Sequence, residues 1–154
     1  MKWLVAFFLI ALLGCNEDDI SDLEIRDDPS ITSLNGTWKV IAYEDYEQGE
    51  LITKTEENSW NMDVIITFDD TINPPSITGK NTTNSIFGSF EYTGHRSFQT
   101  AGFASTYVSQ PEWADTFAKI FEEGEQLFII NETQLKITNT SRKLTAIKLI
   151  LIIY

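Results

Sequence analysis

The chain has a single cysteine, Cys15, at the end of an apolar leader. One thiol allows no intramolecular disulfide, so whatever the chain folds into must stand on its hydrophobic core alone. The leader consists of Lys2, the apolar run Trp3 to Leu13, and the small residue Gly14. One positive charge, a short apolar stretch and a small junction residue are the parts of a secretory signal. The run is about half of the ~20 residues that span a bilayer, so it is not a membrane anchor in itself. Residues 1–14 are therefore read as a signal peptide.

Leu12-Leu13-Gly14-Cys15 resembles a bacterial lipobox. The resemblance implies cleavage before Cys15 and acylation, palmitate included, of its thiol and new amino group. Several acyl chains on one residue make attachment stable, whereas one chain binds only marginally. Residues 15–30 then read as the lipidated cysteine and an acidic linker. Glu17, Asp18, Asp19, Asp22, Glu24, Asp27 and Asp28 dominate it, and Arg26 alone opposes them. Such a segment buries too little to fold and is expected to be extended and mobile. Glu17-Asp18-Asp19, directly after the anchor, resembles the acidic export signal of Gram-negative bacteria that display lipoproteins outside the cell. The expected location is the outer membrane at the cell surface, with its periplasmic face as the alternative.

The formal charge is −12, and loss of Lys2 with the leader takes it to −13. So acidic a protein repels nucleic acid and anionic head groups, and neither is an expected partner. Residues 31–154 form one domain of about 120 residues. Trp38, Trp60, Trp113 and many phenylalanines supply large apolar surfaces for its core.

From Leu34 onward the pattern is β-structure. Trp38 to Tyr43 follows the turn residues Asn35-Gly36, and Leu51 to Thr55 is a weaker strand. Met62, Val64, Ile66 and Phe68 alternate with Asp63, Ile65 and Thr67, the period of a strand with one buried face. Asp69-Asp70 and Asn73-Pro74-Pro75 end it. Ile86, Gly88, Phe90 and Tyr92 alternate likewise, Gly94-His95-Arg96 reads as a turn, and Ser97 to Thr106 as the next strand. Trp113, Phe117, Ile120 and Phe121 fall instead on one helical face. Ser109 with Glu112 fits a capping box, Pro111 is tolerated in the first turn, and Gly124 suits the C-terminal cap. Gln126 to Ile130 and Gln134 to Thr138 flank Asn131-Glu132-Thr133 as a hairpin. Asn139 to Arg142 turns again, and Leu144 to Ile153 reads as a closing strand. Short strands with one helix predict an all-β, mainly antiparallel, small closed or nearly closed barrel. Closure also hides apolar edges that would invite aggregation.

The order of these pieces resembles META (HslJ-like) domains. Leu34-Asn35-Gly36-Thr37-Trp38 is similar to their Gly-x-Trp opening, which lipocalin-like domains share. Ile77-Thr78-Gly79 to Phe90 is similar to the stretch around a Cys-Asn-x-x-x-Gly-x-Tyr motif. Ser105-Thr106, the helix from Pro111, Leu127 to Ile130 and Leu135-Lys136-Ile137 continue in the family's order. The resemblance spans nearly all of Leu34 to Ile153, and the helix between Ser109 and Gly124 favours META over lipocalin. Family members often have cysteines where this chain has Thr83 and Ser109, and both are absent together. The resemblance implies a small barrel with a helix across one side and no enzymatic activity.

Catalytic and metal chemistry finds little footing. His95 is the only histidine and lies in a turn, and no Gly-x-Ser-x-Gly elbow accompanies it. The several His or Cys ligands of a zinc site are missing. Asp69-Asp70-Thr71-Ile72-Asn73 faintly resembles a calcium loop, with Pro74 where Gly should stand and Lys80 where the closing Glu should. No spacing singles out a glycosidase-like carboxylate pair, and no glycine-rich loop precedes a helix. Asn35, Asn81, Asn131 and Asn139 open N-glycosylation patterns and are most simply turn residues. Asp70-Thr71-Ile72 resembles an O-glycosylation signal of some surface-displaying bacteria. No catalytic residue, metal or cofactor is expected. The expected function is a binding or accessory module of an envelope assembly, with outer-membrane proteins as partners. A lipocalin-like carrier of a small apolar ligand and an uncharacterised hydrolase are the alternatives.

Overall fold

A computed structural model describes residues 25–122 and 124–149. The elements are β1 (Gly36–Asp45), β2 (Glu50–Thr53), α1 (Glu56–Ser59), β3 (Val64–Asp69), β4 (Ser76–Asn81), β5 (Asn84–Gly94), β6 (Ser97–Ser105), α2 (Glu112–Glu122), β7 (Glu125–Ile130), β8 (Gln134–Thr138) and β9 (Arg142–Lys148). All pairings are antiparallel, in the order β2-β1-β3-β4-β5-β6-β7-β8-β9, and β1 also pairs with β9. That last pairing closes an eight-stranded barrel, with β2 as an extra strand. The expected all-β barrel is the observed one. β1 serves two neighbours on one edge: Gly36–Lys39 faces β3, and Ala42–Asp45 faces β2.

Alternation sets what points inward. Val64, Ile66 and Phe68 are buried along β3, and Phe128 and Ile130 along β7. Phe68, Phe90 and Phe98 meet edge to face at 5.5–5.8 Å inside the barrel, the geometry that ring quadrupoles favour. β4 has no alternating apolar pattern and was not expected. It forms because Gly79 (φ +154) lets β3 come close: a Cβ there would stand 2.1 Å from the Ile65 carbonyl oxygen. The one-turn α1 was also unforeseen. Thr55 caps it in a reciprocal box with Asn58, and Trp60 in the left-handed region ends it.

α2 closes one end, the base. Trp113, Phe117, Ile120 and Phe121 are buried beneath it, as the helical periodicity predicts. Its last carbonyls are capped by side chains from three strand regions. Asn139 Nδ2 donates to Lys119 and Ile120, Gln126 Nε2 to Ile120 and Gly124, and Thr100 Oγ1 to Phe121. The expected capping box fails: the helix starts at Glu112, and Ser109 lies in the preceding loop. Gly124 does follow the helix at φ +64.

The opposite mouth is covered by residues 25–34. This corrects the reading of the linker's distal part, 25–30, as a free tether. Ile25 and Leu34 are buried, and the Asp28 N–H donates to the Ile130 carbonyl at 2.9 Å. Arg96 ties the strap down: it donates to the Ile31 and Asp28 carbonyls, pairs with Asp27 at 3.1 Å, and lies over the Phe128 ring. Asp70 accepts from Ser33 Oγ at 2.6 Å and from the Tyr92 hydroxyl at 2.8 Å, while that hydroxyl accepts from the Leu34 N–H at 2.8 Å. Asp70 is therefore a latch for the strap.

The latch carries a pH signature. Burial first, then the Asp70 carboxylate, pushes the Tyr92 hydroxyl up to about 12 from an ordinary 10.0. The folded state holds this proton more tightly than the unfolded chain. Its stabilising effect is thus complete below pH 10 and lost as pH rises toward 12. Burial raises Tyr43 too, with the same sign. Alkaline unfolding followed at the tyrosinate absorbance is expected to show stability falling above pH 10. Tyr92→Phe should flatten that slope without removing it.

Candidate binding groove at the base of the barrel

β6 is paired unequally on its two edges. It runs beside β5 from Ser97 to Ser105, but pairs with β7 only at Ser97, Phe98 and Gln99. Beyond Gln99 the two strands diverge, and α2 enters the gap. Phe103 turns its ring onto the helix, stacked on Phe121 at 5.2 Å and tilted against Phe117 at 6.3 Å. The β6 edge over Thr100–Ser105 has no strand neighbour among the described residues.

A groove of about 950 Å³ lies along the Phe103–Ser105 part of this edge, at the upper end of the ~300–1,000 Å³ usual for ligand sites. Phe103, Ala104 and Ser105 form one wall. The face of α2 that carries Asp115, Ala118 and Lys119 forms the floor, because the other face is spent on the core. The loop 106–111 crosses from β6 to α2 and shuts one end. Tyr107 and Val108 stand exposed on it.

Two buried asparagines at the β4–β5 hairpin hold this corner. Asn84 is saturated: its Oδ1 accepts from Thr106 Oγ1 and the Val108 N–H, and its Nδ2 donates to the Val108 carbonyl and Gln110 Oε1. Gln110 Nε2 in turn donates to Asp115 at 2.5 Å. Asn81 Nδ2 donates to the Ala114 carbonyl at 2.9 Å, while its buried Oδ1 has no partner among the described residues. Asn131 and Asn139 are the turn residues their motifs imply, each accepting from two backbone N–H groups ahead. Asn81 is not: it is a buried strand-end residue with 1% exposure.

Thr83 and Ser109, the positions of the implied cysteines, lie side by side. Thr83 Oγ1 donates to the Ser109 carbonyl at 3.0 Å, which pins the crossing loop. Cys15, Glu17, Asp18 and Asp19 lie outside the described residues. His95 is exposed in the β5–β6 turn, at the barrel end away from the groove. Among the described residues no group of three His, Cys, Asp or Glu side chains could hold a metal ion, and no helix is long and apolar enough to cross a membrane.

The shifted carboxylates are scattered. At Asp63, burial is outweighed by hydrogen bonds from Lys54 and Lys39, and its carboxyl is held below the usual range. Thr93 and then Ser97 lower Glu125, and the Ser30 side chain and backbone lower Asp28. None of the three lines the groove. No motif in the sequence marks the groove. Its available signal was the length mismatch between β6 and the shorter β7, followed by the apolar pair Tyr107-Val108 in an otherwise polar loop.

No family model and no curated protein matches the chain. Two solved structures share its fold. One is a protein from Burkholderia xenovorans solved by NMR, at 11% identity and TM-score 0.62, covering 81% of this chain and 90% of that one. The other is a crystal structure of a DUF4847-family protein from Bacteroides vulgatus, at 16% identity and TM-score 0.52, covering 77% and 94%. At such identities the likeness concerns the fold alone.

Proposed function

We propose that this chain is an outer-membrane lipoprotein, anchored through Cys15, whose barrel is a non-enzymatic binding module of an envelope assembly. One observation carries the reading: the two ends of the barrel differ. The strap that leads back to Cys15 seats on one mouth, and the groove opens at the other end. β5 alone spans the distance, from Asn84 at the groove to Gly94 beneath the strap, roughly 33 Å along the strand. Because Asp27 and Asp28 are held by Arg96, the leash is the short stretch from Cys15 to Ile25, at most about 35 Å when extended. An anchor at Cys15 therefore keeps the domain within that reach of the bilayer and leaves the groove end, which the strap does not cover, free for a membrane partner met at high effective concentration.

The carrier alternative draws less support, since the interior is occupied by the domain's own aromatic and aliphatic side chains. The META resemblance gains support from the Thr83–Ser109 contact, because paired cysteines there would have adjacent positions to occupy. Glu17-Asp18-Asp19 remains the proposed export signal for surface display.

Cys15→Ala should move the protein from the membrane fraction to the soluble one, and it should no longer take up an acyl-chain label. Continued labelling of that variant would refute the anchor.

A further inference from the structure

We infer that the open edge of β6 accepts an extended, basic segment of a partner polypeptide as an added strand, lying in the groove over the outer face of α2. This rests on the reading of the domain as a binding module and names what it binds. The open edge covers Thr100–Ser105; a bulge at Gly102 (φ +65) interrupts it, and the part that lines the groove, Phe103–Ser105, presents about 10 Å of extended backbone. Each unpaired N–H and C=O along it is a template for another strand. Natural barrels remove such edges by closure; here the round of the barrel is left unpaired over this stretch of β6, while the extra strand β2 has its own outer edge free away from the groove. The floor leaves room for a strand, because Ala118 lies between Asp115 and Lys119 on the groove face. Asn81 Oδ1, buried in the wall and without a partner among the described residues, adds an acceptor for a side-chain donor of the incoming segment.

Charge chooses among occupants. A second mature copy would bring a net −13 against −13, one unit beyond the −12 of the full chain, and like charge opposes that approach. The strap of the same chain is seated at the far mouth. Asp115 and Lys119 offset each other on the floor, so the field of the whole molecule decides, and it attracts cations. Glu112 stands exposed on the same helix. A basic segment is the occupant that fits.

The test uses the mature chain with Cys15→Ala, isotope-labelled, titrated to millimolar concentration with an eight-residue peptide of alternating lysine and valine. Amide shifts should be confined to Thr100–Ser105 and to Asp115–Lys119. Glutamate in place of lysine should weaken binding at least tenfold. N-methylation of alternate peptide amides should abolish it, because an added strand needs those N–H groups. Ala118→Trp should fill the groove and abolish binding with melting unchanged. Shifts on the same residues that persist with the N-methylated peptide would overturn strand addition while leaving a binding groove. No shifts with any peptide would overturn the inference, and the fractionation of Cys15→Ala would still report separately on anchoring. Concentration-dependent shifts at β6 without peptide would assign the edge to a second copy and overturn it as well.

Discussion

Replacing Phe117 with alanine is expected to destabilise the folded domain by roughly 3–5 kcal/mol, as for other fully buried aromatics. Phe117 has no exposed surface and lies at the centre of α2, 5.0 Å from the Phe121 ring and 6.3 Å from Phe103. Its removal opens a void where the helix plugs the base, and neighbouring rings fixed from two elements can relax only in part. The loss is large against the ~5–15 kcal/mol that holds a domain together. No disulfide can compensate for it. Urea unfolding should show a lower midpoint with an unchanged slope. An unchanged midpoint would mean that α2 does not close the barrel. The same variant should loosen the floor of the groove, since Phe117 carries the helix whose outer face forms it.

Cysteines at Thr83 and Ser109 are expected to join spontaneously in air and to stabilise the domain by about 3.5 kcal/mol, the chain-entropy value for a loop of ~27 residues. The motive is the contact between the Thr83 hydroxyl and the Ser109 carbonyl, which places the β4–β5 hairpin against the crossing loop. The experiment belongs in a Cys15→Ala background, so that no third thiol competes. Intact-mass analysis should show the loss of two hydrogens, and reduction should return the melting temperature of the unbridged protein. Two free thiols after oxidation would place these segments apart and remove the structural support for the META resemblance. A formed bridge would also stiffen the closed end of the groove and make binding there less costly in ordering entropy.

Much of the barrel is legible residue by residue. Val64-Ile65-Ile66-Thr67-Phe68 announces β3, because a strand with one buried face needs only its own period of two. Trp113, Phe117, Ile120 and Phe121 announce α2 for the same reason at a period near four. β4 is silent, since Ile77 is its only buried large apolar residue and Gly79 serves the neighbouring backbone instead of the core. The helix start is misread at Ser109 because a distant contact overrides a local signal. Ser109 with Glu112 satisfies a capping pattern, but the Ser109 carbonyl is taken by Thr83, from 26 residues earlier. The closing strand is observed as β9 up to Lys148, and residues 150–153 of that reading lie outside the described part.

What the sequence determines alone is what neighbours along the chain can express: strand and helix periods, turns, the single thiol at position 15, and the net charge of −12. The tertiary structure decides the rest. Asp45 meets Arg142 across 97 residues where β1 closes on β9, and Arg96 reaches back 69 residues to bind Asp27 in a segment whose composition reads as a tether. Seven acids make residues 15–30 look unable to fold, yet 25–30 is ordered by partners that belong to the barrel. The groove exists because β6 outruns β7 and α2 fills the gap, which is a relation between three elements and a property of none. Periodicity is a local quantity, whereas closure, docking and an open edge depend on which distant surfaces meet.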